Sequence, residues 1–366
     1  MPRFTDLPTA VLRLVMHCLD SAQLLRLATC CRATLRAAQS DFAWRHSALR
    51  VASNTQGHSK LLRGSLVRHA PIHLSLVLSQ KFLMHQSGQA MEAFVLRTLR
   101  PYASRLHGFD AALSRYIPLL SWQTILADES LAGLRVLRLG SAEIAAQCTE
   151  QMLESICLGM PRLTELDLRV FEPLSDIWTP LGEAHALRTL SIIATDAIHS
   201  DRPCVLPLAP NVTRLNLTGL LHLQSLFSQL LASPVLDRIV ELTLGDLPSE
   251  VAMGFQGLWG KLQQCRTVHL LRVYNIDRGI ACAHQAPMLR ALRITPADDF
   301  ASETVPSPES LGDLLRVSSA LIVSLVIPPL ADSPLSATTR TRRFDGVKES
   351  FPRRLIFALA SEPHLS

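Results

Sequence analysis

Apolar residues recur along the chain in one pattern, LxxLxxLxL, in which the first, fourth, seventh and ninth positions are aliphatic, cysteine or small. The copies are LAGLRVLRL at 131, MPRLTELDL at 160, AHALRTLSI at 184, APNVTRLNL at 209, LDRIVELTL at 236, LQQCRTVHL at 262 and APMLRALRI at 286. Their third apolar position recurs in steps of 24 to 29 residues. A period of this length predicts an array of repeated structural units.

Each repeat is predicted to contain a strand, a turn and a helix. The last part of the motif alternates apolar and polar residues, as a strand does. Pro161, Pro210 and Pro287 precede the motif's second aliphatic position, and the residue before a proline disfavours helix, so each marks the end of a helix. Residues 150–158 and 220–231 have helical apolar spacing. Strands joined through helices pair in parallel.

Weaker elements flank the regular copies. The segment IVSLVI at 322–327 is a late copy, and RLHGFDAAL at 105–113 is a candidate early one. Residues 72–78 predict a strand that begins the array, residues 89–99 a helix, and residues 355–359 a last apolar element.

The motif and its period resemble those of leucine-rich repeat proteins. The resemblance implies an α/β fold: an irregular leucine-rich-repeat solenoid with parallel strands on its concave face and helices on its convex face. Because strand side chains alternate, the residue between the last two aliphatic positions faces away from the core. This column reads Arg138, Asp167, Ser191, Asn216, Thr243, His269 and Arg293.

Mixed polarity without a basic stripe favours a protein or peptide as the ligand of this face. We therefore predict client-binding roles for Arg138, Asp167, Asn216, Thr243, His269 and Arg293. The alternative is a merely solvated sheet face.

The first fifty residues have a different pattern, that of three short helices. Thr5–Asp6 and Asp20–Ser21 are cap signals, and the apolar stripes that follow them are Val11, Leu12, Val15 and Leu19, then Leu24, Leu25, Leu27, Ala28 and Cys31. A third helix is predicted around residues 35–38. Three short helices cannot bury all these side chains among themselves. We therefore expect the remaining apolar surface to bind a partner.

In order and spacing the series from Leu7–Pro8 to Trp44–Arg45 resembles the F-box. The resemblance implies binding to a Skp-type adaptor, and through it to a cullin. The implied adaptor-binding residues are Leu7, Pro8, Val11, Leu12, Val15, Leu24, Leu25, Leu27, Cys31 and Trp44. The sequence departs from the family at Thr34, where tryptophan is frequent. The alternative is a helical cap on the repeat array.

Composition limits the class of protein. The chain has 66 leucines among its 366 residues, a net charge of +5 and no basic block, so no nucleic-acid partner is predicted. Its eight cysteines form no CxxC pair, which is typical of reduced thiols. Charged and polar residues interrupt the N-terminal apolar segment, so neither a signal peptide nor a membrane partner is predicted. These features favour an intracellular protein of the cytoplasm or nucleus.

No catalytic or metal-binding motif occurs, so we predict no enzyme activity, no cofactor and no metal.

The predicted organisation is an F-box at 1–50, a helical linker with possible irregular repeats at 51–130, the solenoid at 131–330 and a C-terminal tail at 331–366. The predicted function is recruitment of an unknown client protein for ubiquitination. The alternatives are a leucine-rich-repeat scaffold without a ligase role and an enzyme whose pocket the sequence does not reveal.

Overall fold

Short parallel strands, one per repeat, are the main element of the fold. The structure, a computed structural model, describes residues 48–52, 72–77, 88–111, 119–140, 149–170, 179–194, 208–220, 224–246, 255–273, 282–296, 307–318, 320–327 and 355–359, and singly residues 11, 19, 23, 26, 27, 30–32, 34 and 280. The chain divides into two units, residues 1–171 (unit 1) and residues 172–366 (unit 2). Each unit is described by itself.

The described residues of unit 1 form five parallel strands paired in chain order. The strands are β1 (Ala48–Ala52), β2 (Ile72–Val77), β3 (Leu106–Ala111), β4 (Val136–Leu139) and β5 (Glu165–Val170). The connecting helices are α1 (Gly88–Leu99), α2 (Leu119–Leu126) and α3 (Glu150–Gly159), with short 3-10 helices at Arg100–Arg105 and Glu129–Leu131. The predicted helix 89–99 and strand 72–78 are confirmed to within one residue.

Strand register in unit 1 places the repeat's apolar side chains in one row. Leu74 pairs with Phe109, Phe109 with Leu137, and Leu137 with Leu166, and all four side chains are fully buried. Phe109 therefore takes the place of the repeat leucine in β3. Its strand continues the array at a position where the leucine motif is hardest to recognise.

Local hydrogen bonds fix where the helices of unit 1 begin. The Thr149 hydroxyl accepts a hydrogen bond from the Met152 amide, 3.2 Å away, and so caps α3. Asp128 caps a 3-10 helix by accepting from the Ser130 amide and also binds Arg100, whose Nη2 lies 2.8 Å from Asp128 Oδ2. Burial tends to raise the pKa of Asp128, but the hydrogen bonds from Ser130 and Arg100 outweigh it and lower the pKa.

Seven parallel strands, again paired in chain order, lie in the described part of unit 2. They are β6 (Thr189–Ala194), β7 (Arg214–Thr218), β8 (Glu241–Gly245), β9 (Thr267–Val273), β10 (Ala291–Pro296), β11 (Ile322–Ile327) and β12 (Leu355–Leu359). The helices are α4 (Gln224–Ala232), α5 (Phe255–Lys261) and α6 (Pro308–Val317), with 3-10 helices at Thr179–Glu183, Pro234–Arg238 and Ala283–Gln285.

The leucine motif accounts for the core of unit 2. The paired row contains Leu190, Leu215, Leu242, Val268, Leu292 and Val323, all at most 2% exposed. A backbone ladder runs beside this row just before the strands. It joins the Thr213 amide to the Arg188 carbonyl at 2.8 Å, the Val240 amide to the Thr213 carbonyl at 2.7 Å, and the Arg266 amide to the Val240 carbonyl at 2.8 Å. Each repeat thus docks on the previous one through side chains and backbone together.

Three strands of unit 2 have a residue with left-handed backbone at or next to their last residue. Gly219, Asp246 and Arg272 have φ of 75°, 56° and 49°, and each lies two residues after the motif's last aliphatic position. At Gly219 a Cβ atom would also come within 2.5 Å of the Ala194 carbonyl oxygen. The chain therefore turns out of the sheet at one repeated place, and only glycine fits there in β7's repeat.

The predicted strands of the regular copies are confirmed, as are the strand at 322–327 and the one within 105–113. Two predictions need adjustment. Residues 220–231 do not begin as a helix, because the left-handed Gly219 and buried Leu220 leave the strand first and α4 begins at Gln224. The apolar element at 355–359, in the segment predicted as a tail, is a strand paired with β11.

No helix among the described residues is both long enough and apolar enough to cross a bilayer.

The backbone at Gly219 gives a stability prediction. Gly219→Ala should lower the free energy of unfolding by about 2–3 kcal/mol, because it adds left-handed strain and a clash with the Ala194 carbonyl. Urea denaturation of the full chain followed by circular dichroism measures this. The control is Gly260→Ala in α5, where nothing lies within 4 Å of the added Cβ and a small stabilisation of about 0.5–1 kcal/mol is expected. Equal effects of the two substitutions would contradict the strain at Gly219.

Candidate functional site

Three of the ten predicted adaptor-binding residues lie among the described residues. Val11 is helical and 38% exposed, Leu27 is helical and half-buried, and Cys31 is half-buried. The other seven lie outside the described residues: Leu7, Pro8, Leu12, Val15, Leu24, Leu25 and Trp44. An exposed valine on a helix is compatible with a partner surface but does not define one.

Cys31 is not part of the second helical stripe, so that placement in the sequence prediction is wrong. The chain turns at Cys30, whose amide donates to the Leu27 carbonyl, and Cys31 lies in the turn before helical Arg32. The reason is a reciprocal cap. The Thr34 amide donates to Cys31 Sγ at 3.5 Å, and the Cys31 amide donates to Thr34 Oγ1 at 3.2 Å.

The burial and hydrogen bonds of Thr34 explain why this position departs from the F-box pattern. Its side chain is 1% exposed, and its hydroxyl also donates to the Cys31 carbonyl at 2.9 Å. A small side chain that closes this cap occupies the place where the family often has tryptophan. Arg32 and Thr34 are helical, and the predicted helix residues 35–38 lie outside the described residues.

The sheet face of unit 1 contains a network of charged side chains around Arg138. The Arg138 guanidinium binds Glu165 Oε1 through Nη2 at 2.6 Å and Nε at 3.0 Å. Burial opposes the charge of Arg138, but Glu165, Asp167 and Asp110 raise its pKa above the usual value. The predicted residues Arg138 and Asp167 are therefore brought together, and unit 1 already supplies carboxylates for its arginine.

His73 and Asp110 are face residues that the sequence prediction missed. Asp110 pairs with Arg138 in the strand register, and the His73 ring lies against Gly108, where a Cβ atom would come within 2.5 Å of its Nδ1. Burial lowers the pKa of His73, and the charge of Arg138 lowers it further, while Glu165 partly opposes this. The available signal was the alternation in residues 72–78 and 105–113, which lack the full motif.

The sheet face of unit 2 begins with a neutral hydrogen-bonded group. The Asn216 amide donates to Ser191 Oγ at 3.1 Å, and the Thr218 hydroxyl donates to Asn216 Oδ1 at 2.8 Å. On the same face Arg214 pairs with Glu241 at 3.3 Å. The predicted residue Asn216 thus has much of its hydrogen-bonding capacity satisfied within the fold, which leaves less of it for a ligand.

Thr243, His269 and Arg293 occupy adjacent positions on the next three strands of this face. Thr243 pairs with His269, and His269 with Arg293. Burial lowers the pKa of His269, the nearby Arg293 charge lowers it further, and Glu241 partly opposes this. The alternation of burial along the strands confirms that all six predicted face residues point away from the core. Their role in client binding stays a prediction.

Buried cysteines do not provide a nucleophile. Burial raises the pKa of the Cys157 and Cys265 thiols to about 12, so both stay protonated at neutral pH. Cys265 is fully buried at a motif position that other repeats fill with leucine. Across the described ranges, no group of three histidine, cysteine, aspartate or glutamate side chains is placed to hold a metal ion.

Comparison with known proteins assigns the N-terminal segment. Residues 4–46 match the family model of the F-box domain. The match supports an F-box protein, and an F-box domain indicates an adaptor role in an SCF-type ubiquitin ligase through a Skp-type partner. It does not extend into the repeats. No curated protein matches the chain.

The local electrostatics of His269 give a prediction. Its imidazole should titrate below pH 6.5, and Arg293→Gln should raise its pKa, because the substitution removes a nearby positive charge. Titration of the imidazole proton signals by NMR measures this, with His269→Gln used to assign the signal. Arg290→Gln, an exposed charge change just before the same strand, should leave the pKa unchanged. Equal shifts in both arginine variants would contradict the assignment to Arg293.

Proposed function

We propose that this chain is the substrate-recognition subunit of an SCF-type ubiquitin ligase. In this proposal an N-terminal three-helix F-box binds a Skp-type adaptor, and a leucine-rich-repeat solenoid binds a client protein. The observation that carries it is the F-box match at residues 4–46 in a chain that continues as parallel-strand repeats. The F-box match supports the adaptor role, and the repeats add a surface on which a client could bind.

The adaptor side rests on apolar residues of the F-box. Val11 presents an exposed aliphatic side chain on a helix, and Leu27 and Cys31 are half-buried. Burial of such side chains against a partner supplies the hydrophobic contribution to binding. The cap between Cys31 and Thr34 would hold the turn next to Leu27 in a fixed conformation.

The client side rests on the outward residues of the strands. In the proposed solenoid this face is concave, and it presents Arg138, Asp167, Asn216, Thr243, His269 and Arg293. These side chains are held by rigid strands whose own apolar residues are buried. Preorganisation of this kind limits the entropy lost on binding.

The proposed mechanism is proximity. The chain would raise the effective concentration of its client near a ubiquitin-conjugating enzyme held by the cullin assembly, and it would transfer no group itself. Such a role requires the compartment of the adaptor, so we propose an intracellular location in the cytoplasm or nucleus.

The adaptor contact is tested by a double substitution in the full chain. Leu7→Ala/Pro8→Ala should weaken binding to a Skp-type adaptor by tenfold or more, because roughly 2 kcal/mol or more is lost when apolar contacts at the centre of an interface are truncated. Bio-layer interferometry with purified adaptor measures the affinity, and co-purification of cullin tests the next link.

The matched control is Leu158→Ala/Val317→Ala, which truncates two exposed aliphatic side chains outside the F-box and should leave adaptor affinity unchanged. A folded wild-type chain that captures neither adaptor nor cullin would overturn the ligase role. The chain would then be better described as a leucine-rich-repeat scaffold.

A further inference from the structure

Four adjacent strands of unit 2 present a row of face residues that contains no carboxylate. The row consists of Thr243 on β8, His269 on β9, Arg293 on β10 and Ser324 on β11, paired in register, and it is here called the Arg293 patch. Each of these side chains carries an N–H or O–H group that can donate a hydrogen bond. A ligand group that accepts hydrogen bonds therefore fits this row better than one that donates them.

Arg293 differs from its neighbours in that no ion pair joins it to a carboxylate of the described residues. Arg214 pairs with Glu241 at 3.3 Å, and Arg272 pairs with Asp246 at 2.6 Å. Arg293 is exposed, and no carboxylate of the described part of the chain lies within 4.0 Å of its guanidinium. Among the described face residues of unit 2, Arg293 thus has its positive charge available to an outside partner.

The size of this charge distinguishes between anionic ligands. Burial and Arg293 both lower the pKa of His269, so the patch carries about one positive charge at neutral pH. A carboxylate carries one negative charge, whereas a phosphate monoester carries about 1.5 to 2. A guanidinium binds either group with two parallel hydrogen bonds, so the difference between the two ligands lies in their charge. A carboxylate is therefore the better match.

An apolar position lies next to the patch on the same face. Ile322 is 43% exposed and pairs with Ala291, and these two residues precede Ser324 and Arg293 by two positions in their strands. Arg293 and Ile322 are therefore diagonal neighbours on adjacent strands. Such neighbours are about 7–8 Å apart, close to the spacing of alternate side chains in an extended peptide. A ligand with a carboxylate could therefore place an aliphatic side chain on Ile322.

We propose that the Arg293 patch and Ile322 bind an extended client segment that carries a carboxylate side chain and, two residues away, an aliphatic side chain. The inference rests on the proposed function and names the chemical class of the client. Arg138, at the equivalent motif position in unit 1, is instead bound by Glu165. Charge complementarity thus favours acidic over basic segments at unit 2.

Oriented peptide pools test this proposal. The probes are fluorescent, C-terminally amidated pools of the form XXXEXLXXX, where X excludes charged residues and cysteine, and matched pools with glutamine, lysine or phosphoserine in place of glutamate. The full wild-type chain should retain the glutamate pool about tenfold more than the glutamine pool, as expected for a charge-assisted pair. Replacement of the fixed leucine by serine should reduce retention.

Variants assign the selection to Arg293. Arg293→Gln should abolish the preference for glutamate, Arg293→Glu should transfer it to the lysine pool, and the control Arg290→Gln should keep the wild-type preference. Equal retention of the glutamate and glutamine pools by wild type, or a preference that persists in Arg293→Gln, overturns the proposal. Preference for phosphoserine over glutamate that Arg293→Gln removes overturns the carboxylate assignment.

Adaptor binding measured on the same preparations separates this proposal from the ligase role. A chain that binds the adaptor but does not discriminate between the pools overturns the client class alone. A chain that selects glutamate through Arg293 but does not bind the adaptor supports the acidic ligand and overturns the ligase role.

Discussion

Parallel pairing of neighbouring strands is the constraint on which each unit depends. A strand of four to seven residues buries only two or three side chains, and those of unit 2 form one row from Leu190 through Leu215 and Leu242 to Val323. No strand has a core of its own, because half of its side chains face away from the apolar layer. Stability therefore comes from contacts between repeats, as is general for such arrays.

This constraint fixes the inward positions and leaves the outward ones free. Loss of a buried repeat leucine would cost about 2–5 kcal/mol, whereas exposed ion pairs such as Arg214–Glu241 contribute about 0–1 kcal/mol. Folding thus demands little of the outward side chains. Their chemistry is available for recognition without loss of the scaffold.

The sequence predicts the strands well because their signal is local. Alternation and the leucine period identify β4 to β11 without knowledge of any contact, and glycine or proline marks several boundaries. Phe109 weakens the leucine signal of β3, which the sequence gives only as a candidate copy, although the residue is buried in the same row. The left-handed Arg272 is equally hidden, because arginine does not signal positive φ, whereas Asp246 belongs to a residue type that is enriched there.

The candidate site is less predictable because its properties come from pairs of residues in different repeats. The sequence places Arg138 and Arg293 at equivalent positions, yet only the structure gives Arg138 a bond to Glu165 and leaves Arg293 without a described carboxylate. The role of Thr34 likewise depends on Cys31 acting as a cap instead of a helical residue. Such differences follow from register and rotamer, which a single-sequence pattern does not encode.

The contrast between the two arginines has no explanation in folding energetics. Since an exposed pair stabilises a protein by so little, neither the presence of Glu165 beside Arg138 nor the absence of a partner for Arg293 changes stability appreciably. Electrostatic complementarity acts instead on the choice of partner and the rate of encounter. Arg293, held on a strand with no carboxylate of the described residues within 4.0 Å, therefore has its charge open to an outside ligand, whereas the charge of Arg138 is already engaged by Glu165.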